Sequence, residues 1–280
     1  MPSPTVSQNH SEYCAQQVRK YDYFRYFAAM FAPAETRRGL IALYAFNLEI
    51  ASVRERVSEA LLGQMRLQWW SDTIEEIFAG TTRNHSVVSE LAWAITAFEL
   101  PQNGLVRLIE GRMFDLEDQP PENSGAVAVY ASATSGQLAA LAASICGQPD
   151  SASSADALGT SWGMTGLLRA LPYQAAQRRV YLPQDILRTV NLTAEDIIEQ
   201  RNPDATKAAV TAFIALIDKP KPEGIRLPRA VRPAIAYAAL TDRYLRRLKY
   251  TGNDVYAENF EISRLSGQIR ICRSTMTGRI

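Results

Sequence analysis

The chain has 280 residues, a formal charge of +1 and 47% hydrophobic residues, a balance that suits one globular core and leaves no electrostatic footprint for nucleic acid. No run of 18 or more apolar residues reads as a bilayer span, which argues against an integral membrane protein. Cys14, Cys146 and Cys272 are odd in number, widely spaced and without CxxC spacing, and His10 and His85, the only histidines, lie in polar segments expected to be exposed, so reduced thiols are expected and neither a disulfide framework, a zinc site nor a histidine-based triad.

Residues 1–20 read as a polar lead-in, followed by a single helical domain over 21–275. The first 12 residues contain no Lys or Arg and no apolar stretch, so neither a secretory signal nor a mitochondrial presequence is visible, and a cytoplasmic location is expected. Apolar residues then recur at three- and four-residue spacing and nowhere alternate with period two, which predicts an all-α fold. A helix over Asp22 to Phe31 should end at Pro33. A long one from Glu35 through Arg56 would turn Leu40, Tyr44, Leu48 and Ala51 inward. Gly63 to Phe78 stops at Ala79-Gly80. On that helix Trp69 and Trp70 point about 100° apart, so one ring enters the core and the other meets a cleft or partner.

Helices over Ser86 to Phe98 and Asn103 to Glu117 follow, the second closed by Pro120-Pro121. Residues 124–146 are rich in Ala and Ser, which permits close helix packing around a central cavity. The next helix should run to about Leu171, where Pro172 breaks it. Asn191 to Gln200, Thr206 to Ile217, Arg229 to Lys249 and Glu261 to Cys272 complete the helical set. Charge is uneven along the chain. Between Asp218 and Lys249, nine basic residues stand against three acidic ones, a local net of +6, a pattern that suits an anionic lipid surface or an acidic partner.

Several short motifs fall in a telling order: Tyr44-Ala45-Phe46-Asn47-Leu48-Glu49, Val57-Ser58-Glu59, Gly63-Gln64-Met65-Arg66-Leu67-Gln68-Trp69-Trp70, Phe114-Asp115-Leu116, Leu168-Arg169-Ala170-Leu171-Pro172-Tyr173 and Arg178-Arg179-Val180-Tyr181-Leu182-Pro183. Together they resemble the squalene and phytoene synthase family, and most of all its branch of mitochondrial complex I assembly factors with a squalene/phytoene-synthase-like domain. The resemblance runs from about Tyr21 to the C-terminal region and implies an isoprenoid-synthase-type helical bundle around a central cavity. In active members the Tyr-Ala-Phe lead-in precedes an Asp-Asp-x-x-Asp cluster, and the segment ending in Tyr-Leu-Pro carries two aspartates one helical turn apart. Such carboxylates share one helix face and can hold magnesium against a diphosphate. The matching positions here are Ala51, Ser52 and Glu55, and Ala170 and Gln174. Only Glu55 keeps a carboxylate, and Pro172 is expected to distort the backbone that would aim the second pair.

The resemblance therefore implies a catalytically degenerate protein, with no catalytic residues and no metal or cofactor, that acts by binding or assembly in the biogenesis of respiratory complex I. Two other functions stay open at this point: an active prenyltransferase using magnesium, and a carrier of a polyprenyl lipid. Candidate ligand- or partner-binding residues are Tyr44, Asn47, Glu49, Arg66, Trp69, Asp115, Arg169, Arg178, Arg179 and Tyr181. Asn47 and Glu49 lie in an apolar helix and need buried partners such as Arg66 or Arg169. Arg169, Arg178, Arg179 and Tyr181 match family positions near the diphosphate mouth, where guanidinium groups can hold a phosphate without metal. Implied partners are complex I subunits or assembly intermediates, an isoprenoid lipid, and the inner membrane through peripheral contact, from the matrix side if the chain is organellar.

Overall fold

A computed structural model describes residues 4–217, 227–257 and 260–280, with side chains from Asn9 onward. Helical periodicity carries through these residues. The helices are α1 (Pro4–Tyr21), α2 (Tyr23–Ala29), α3 (Ala34–Ala51), α4 (Ala60–Phe78), α5 (Ser86–Phe98), α6 (Gln102–Met113), α7 (Ser124–Ala131), α8 (Gln137–Ile145), α9 (Ala152–Ala176), α10 (Gln184–Thr189), α11 (Ala194–Ile198), α12 (Pro203–Ile217), α13 (Arg232–Ile235), α14 (Thr241–Tyr250) and α15 (Arg264–Thr277). At the centre, α3 packs against α1, α5 and α8, and α9 lies along α8.

Several local expectations change, among them the single helix over Arg229 to Lys249, which divides into α13, a 3₁₀ stretch over Ala236–Leu240 and α14. The lead-in is helical: Cys14 and Val18, four apart, are fully buried and seat α1 on α3 and α5. That stripe is too narrow to stand out among polar neighbours. Helix α3 stops at Ala51 instead of Arg56: the Ser52 hydroxyl donates to the carbonyls of Leu48 and Glu49 at 2.7 and 3.2 Å, and the chain tightens into a 3₁₀ turn over Arg54–Arg56. Likewise α6 ends at Met113 and a 3₁₀ turn takes Phe114–Leu116. Pro172 does not break α9, which runs five residues beyond the expected Leu171 end, to Ala176. Proline in a helix interior forfeits one backbone hydrogen bond, and the packed helix absorbs that loss.

The Ala- and Ser-rich segment does permit close packing. A Cβ on Gly159 would fall 2.4 Å from the Ser135 carbonyl oxygen and 2.7 Å from the Ala139 Cβ, so α9 nearly touches the backbone of the π turn at Ser132–Gly136 that joins α7 to α8. The whole stretch Ser124–Ile145 is, by length and mean hydropathy of 1.3, sufficient to cross a bilayer, yet 56% of its apolar window is buried within the chain. The sequence, which shows no unbroken run of 18 apolar residues, did not mark it. Further along, Trp162 of α9 packs edge-on to Tyr237 at 5.6 Å and tilts against Tyr244 at 6.1 Å, tying α9 to the C-terminal helices.

The three cysteines differ in environment. Cys14 and Cys146 are buried and Cys272 is half-buried. Burial pushes the thiols of Cys14 and Cys146 up to about 12. Because their native values lie above those of the unfolded chain, their neutral forms favour the fold fully below pH ~9, and this contribution drains away as pH rises towards 12. One thiol of three is therefore expected to react with iodoacetamide at pH 8 under native conditions, with the denaturation midpoint falling above pH 9. Equal reaction of all three under native conditions would contradict this burial.

Candidate functional site

The two motif segments meet. Ala51 at the end of α3 and Glu55 on the following turn face Ala170 and Gln174 of α9 across a cavity of about 210 Å³. Since α9 stays helical through Pro172, the frame that would aim the second pair of acids is intact, and only the carboxylates are gone. Arg54, Arg112 and Arg179 line the same cavity with Asp115, Tyr130 and Tyr181.

Asp115 is the hub of this wall. Its Oδ1 accepts from the hydroxyls of Tyr130 and Tyr181, each at 2.7 Å, and its Oδ2 from Arg112 Nη1 at 3.3 Å. Arg112 also donates to the Tyr130 hydroxyl at 3.0 Å and to Asn47 Oδ1 at 3.3 Å. Arg179 donates to the Asp115 carbonyl at 2.9 Å and to the Tyr181 hydroxyl. Burial first, then the adjacent Asp115 charge, holds the Tyr130 and Tyr181 phenols well above the ordinary tyrosine range, so both remain neutral donors. Three buried polar atoms around the cavity lack a protein partner: Arg54 Nε, Arg112 Nε and Gln174 Oε1. Such atoms cost about 1–3 kcal/mol each when left dry.

Of the expected site residues, Asn47, Asp115, Arg179 and Tyr181 converge in this network. Glu49, Arg66 and Trp69 gather instead in a neighbouring pocket of about 260 Å³ with His85. There Glu49 pairs with Arg56 at 2.8 Å, while Arg66 is exposed. The expected partners of Asn47 and Glu49 are thus Arg112 and Arg56, not Arg66 or Arg169. His85 is half-buried against Trp69 and Trp70 rather than exposed. The tryptophan pair divides as expected, with Trp70 in the core and Trp69 at the surface of the cleft.

Three residues lie outside both pockets. Tyr44 is fully buried and donates to the Ala234 carbonyl at 3.2 Å, so it joins α3 to α13. Arg169 pairs with Glu261 at 3.1 Å over the Tyr244 ring. Arg178, at φ 59°, turns out to Glu195 at 2.9 Å. Residues flanking a motif on a helix point away from the face that the motif presents, which separates Arg169 from Ala170. Sequence reading missed Arg54, Arg112 and Tyr130. The signal for Arg112 was its place three residues before Asp115, one turn back on the same face.

Magnesium, the ion implied by the resemblance for active relatives, does not fit these residues. Both oxygens of Asp115 are taken by protein donors, and Glu55 is exposed. Among the described residues no three His, Cys, Asp or Glu side chains converge on a metal-sized site. Protein usually holds magnesium through one or two carboxylates, with waters and substrate phosphates completing a near-octahedral shell.

Comparison with known proteins supplies the relatives. The sequence profile of the squalene/phytoene synthase family matches residues 18–270. The chain is 30% identical over 260 residues to the rat protein named NADH dehydrogenase (ubiquinone) complex I, assembly factor 6, covering 90% of this chain and 78% of the relative. It is 25% identical to a phytoene synthase of Cereibacter sphaeroides, covering 81% and 67%. A crystallised dehydrosqualene synthase shares the fold with a TM-score of 0.80 at 17% identity, covering 97% of both chains.

Proposed function

Because the chain belongs to the squalene/phytoene synthase family but lines its cavity with guanidinium groups in place of paired acids, we infer that it acts by binding, without catalysis, in the biogenesis of respiratory complex I. The single observation that carries the non-catalytic half is the meeting of Ala51 with Ala170 and Gln174 across one cavity. The complex I half is supported by the names of relatives 30% and 34% identical in sequence. Its partners on this reading are complex I subunits or assembly intermediates at the inner membrane.

Expelling diphosphate from a prenyl substrate builds charge that metal ions offset by several kcal/mol, and each ~1.4 kcal/mol is tenfold in rate. Of the five positions where active members carry acids, only Glu55 keeps a carboxylate here. What the cavity offers is Arg54, Arg112 and Arg179 as charge-assisted donors, the hydroxyl protons of Tyr130 and Tyr181 being committed to Asp115. That set suits a phosphate-type headgroup held intact.

Calorimetry with farnesyl diphosphate tests the reading. We expect affinity to stay within about threefold with and without magnesium, and no pyrophosphate release. A metal-dependent gain of about tenfold, or turnover, would restore the prenyltransferase alternative. A deletion strain should lose complex I activity while its carotenoid and hopanoid content is unchanged; the reverse pattern would remove the assembly role.

A further inference from the structure

The charge cluster expected over Asp218 to Lys249 is only part of a surface. Asp218, Lys219, Lys221, Glu223 and Arg226 lie outside the described residues, and Arg232 is spent on the carbonyls of Leu227, Thr275 and Met276 at 3.0–3.1 Å. The sharper feature is α15. Leu265, Ile269, Cys272 and Met276 recur at intervals of four, three and four, so they form one stripe along the helix. That stripe faces outward, with Leu265 67%, Ile269 61% and Met276 79% exposed, while Gly267, Ile271 and Ser274 hold the opposite face in the core. An apolar groove of about 560 Å³ opens between the stripe and Phe27.

Charge says what covers it. Helix α15 contains no acidic residue and three arginines, Arg264, Arg270 and Arg273. Arg270 and Arg273 lie on one flank of the stripe by helical spacing. Arg243 and Arg246 of α14 add to the positive field at Arg270, where burial and these neighbours hold the guanidinium below its ordinary value, opposed by Asp242. An exposed aliphatic stripe with an arginine flank and no acid is the pattern of a helix lying in a lipid headgroup layer.

We propose that the outer face of α15 docks on an anionic membrane surface, with Leu265, Ile269 and Met276 entering the acyl boundary and Arg273, Arg243 and Arg246 meeting lipid phosphates. This surface is independent of the cavity described above, so its failure and the failure of the non-catalytic reading are separate results.

Flotation of the full chain with phosphatidylcholine vesicles, with and without phosphatidylglycerol, tests it. Each arginine near an anionic surface strengthens binding by about fivefold (~1 kcal/mol), so the anionic vesicles should bind at least about tenfold better at low salt and lose that margin at high salt. The Ile269→Gln/Met276→Gln variant changes only exposed side chains; it should keep its helical circular dichroism and lose vesicle binding by about tenfold or more. Arg273→Glu/Arg243→Glu should lose the preference for anionic lipid. Equal binding to both vesicles, or full binding by Ile269→Gln/Met276→Gln, overturns the proposal. A concentration-dependent dimer that this variant abolishes, with no vesicle binding by the parent, would overturn it too and give the stripe to a second copy of the chain.

Discussion

Asp115→Ala will destabilise the fold by about 3–5 kcal/mol, because it strands the Arg112 charge in the interior. The Arg112 side chain is 13% exposed, and Asp115 is its ion-pair partner at 3.3 Å. Two tyrosine hydroxyls lose their acceptor in the same step. With about 2–4 °C per kcal/mol for a chain of this size, the melting temperature should fall by roughly 6–20 °C. Adding Arg112→Met should recover most of the loss, since exchanging a whole buried pair for packed apolar groups is often near neutral. Thermal denaturation of the single and double variants checks both parts; an unchanged melt for Asp115→Ala would mean that the network is not holding the wall together.

A comparable loss is expected from Asp22→Ala. Arg25 of α2 is 6% exposed, pairs with Asp22 at 2.7 Å and sits 4.7 Å from the Tyr237 ring centroid, with Nε and Nη2 lacking partners. Removing the carboxylate leaves cation–π attraction to Tyr237 as its main compensation, worth about 2 kcal/mol when desolvated, against a penalty of about 3–5 kcal/mol for the unpaired buried charge. Urea titration should show a lower midpoint at unchanged slope. If Arg25→Met alone is as damaging as Asp22→Ala, packing and not charge governs the site.

Much of this architecture was legible because helical periodicity survives in a single sequence. Ser86 to Phe98 was placed to the residue, and the motif frame brought Ala51 and Ala170 to one cavity as the family resemblance implies. What escaped had a common cause. The tightening of the chain into a 3₁₀ turn after Ala51 and a proline tolerated by tertiary packing, as at Pro172, depend on contacts that periodicity does not encode. The partner of Asn47 also escaped, because Arg112 stands 65 residues away, and that of Glu49 because Arg56 lies beyond the end of α3, where helical spacing no longer applies. Helix facing separated Arg169 from Ala170, and the left-handed backbone at Arg178 turned it away from its neighbour Arg179. The apolar stripe of α15 was visible as a helix; that it points outward is a fact of packing alone.

The Asp115 wall also bears on the order in which the chain acquires structure. Its hydrogen bonds join residues 64 to 66 apart in sequence, whereas the helices that carry them are stitched by contacts three or four apart. Closing loops of that length carries an entropic cost that contacts within a helix avoid. The cavity is therefore completed only after α3, α6 and α9 have docked, so on the proposed binding role an anion seated there would recognise finished protein alone. Its occupancy would then draw the folding equilibrium towards the native state by mass action, and the supply of ligand would set how much folded protein is retained.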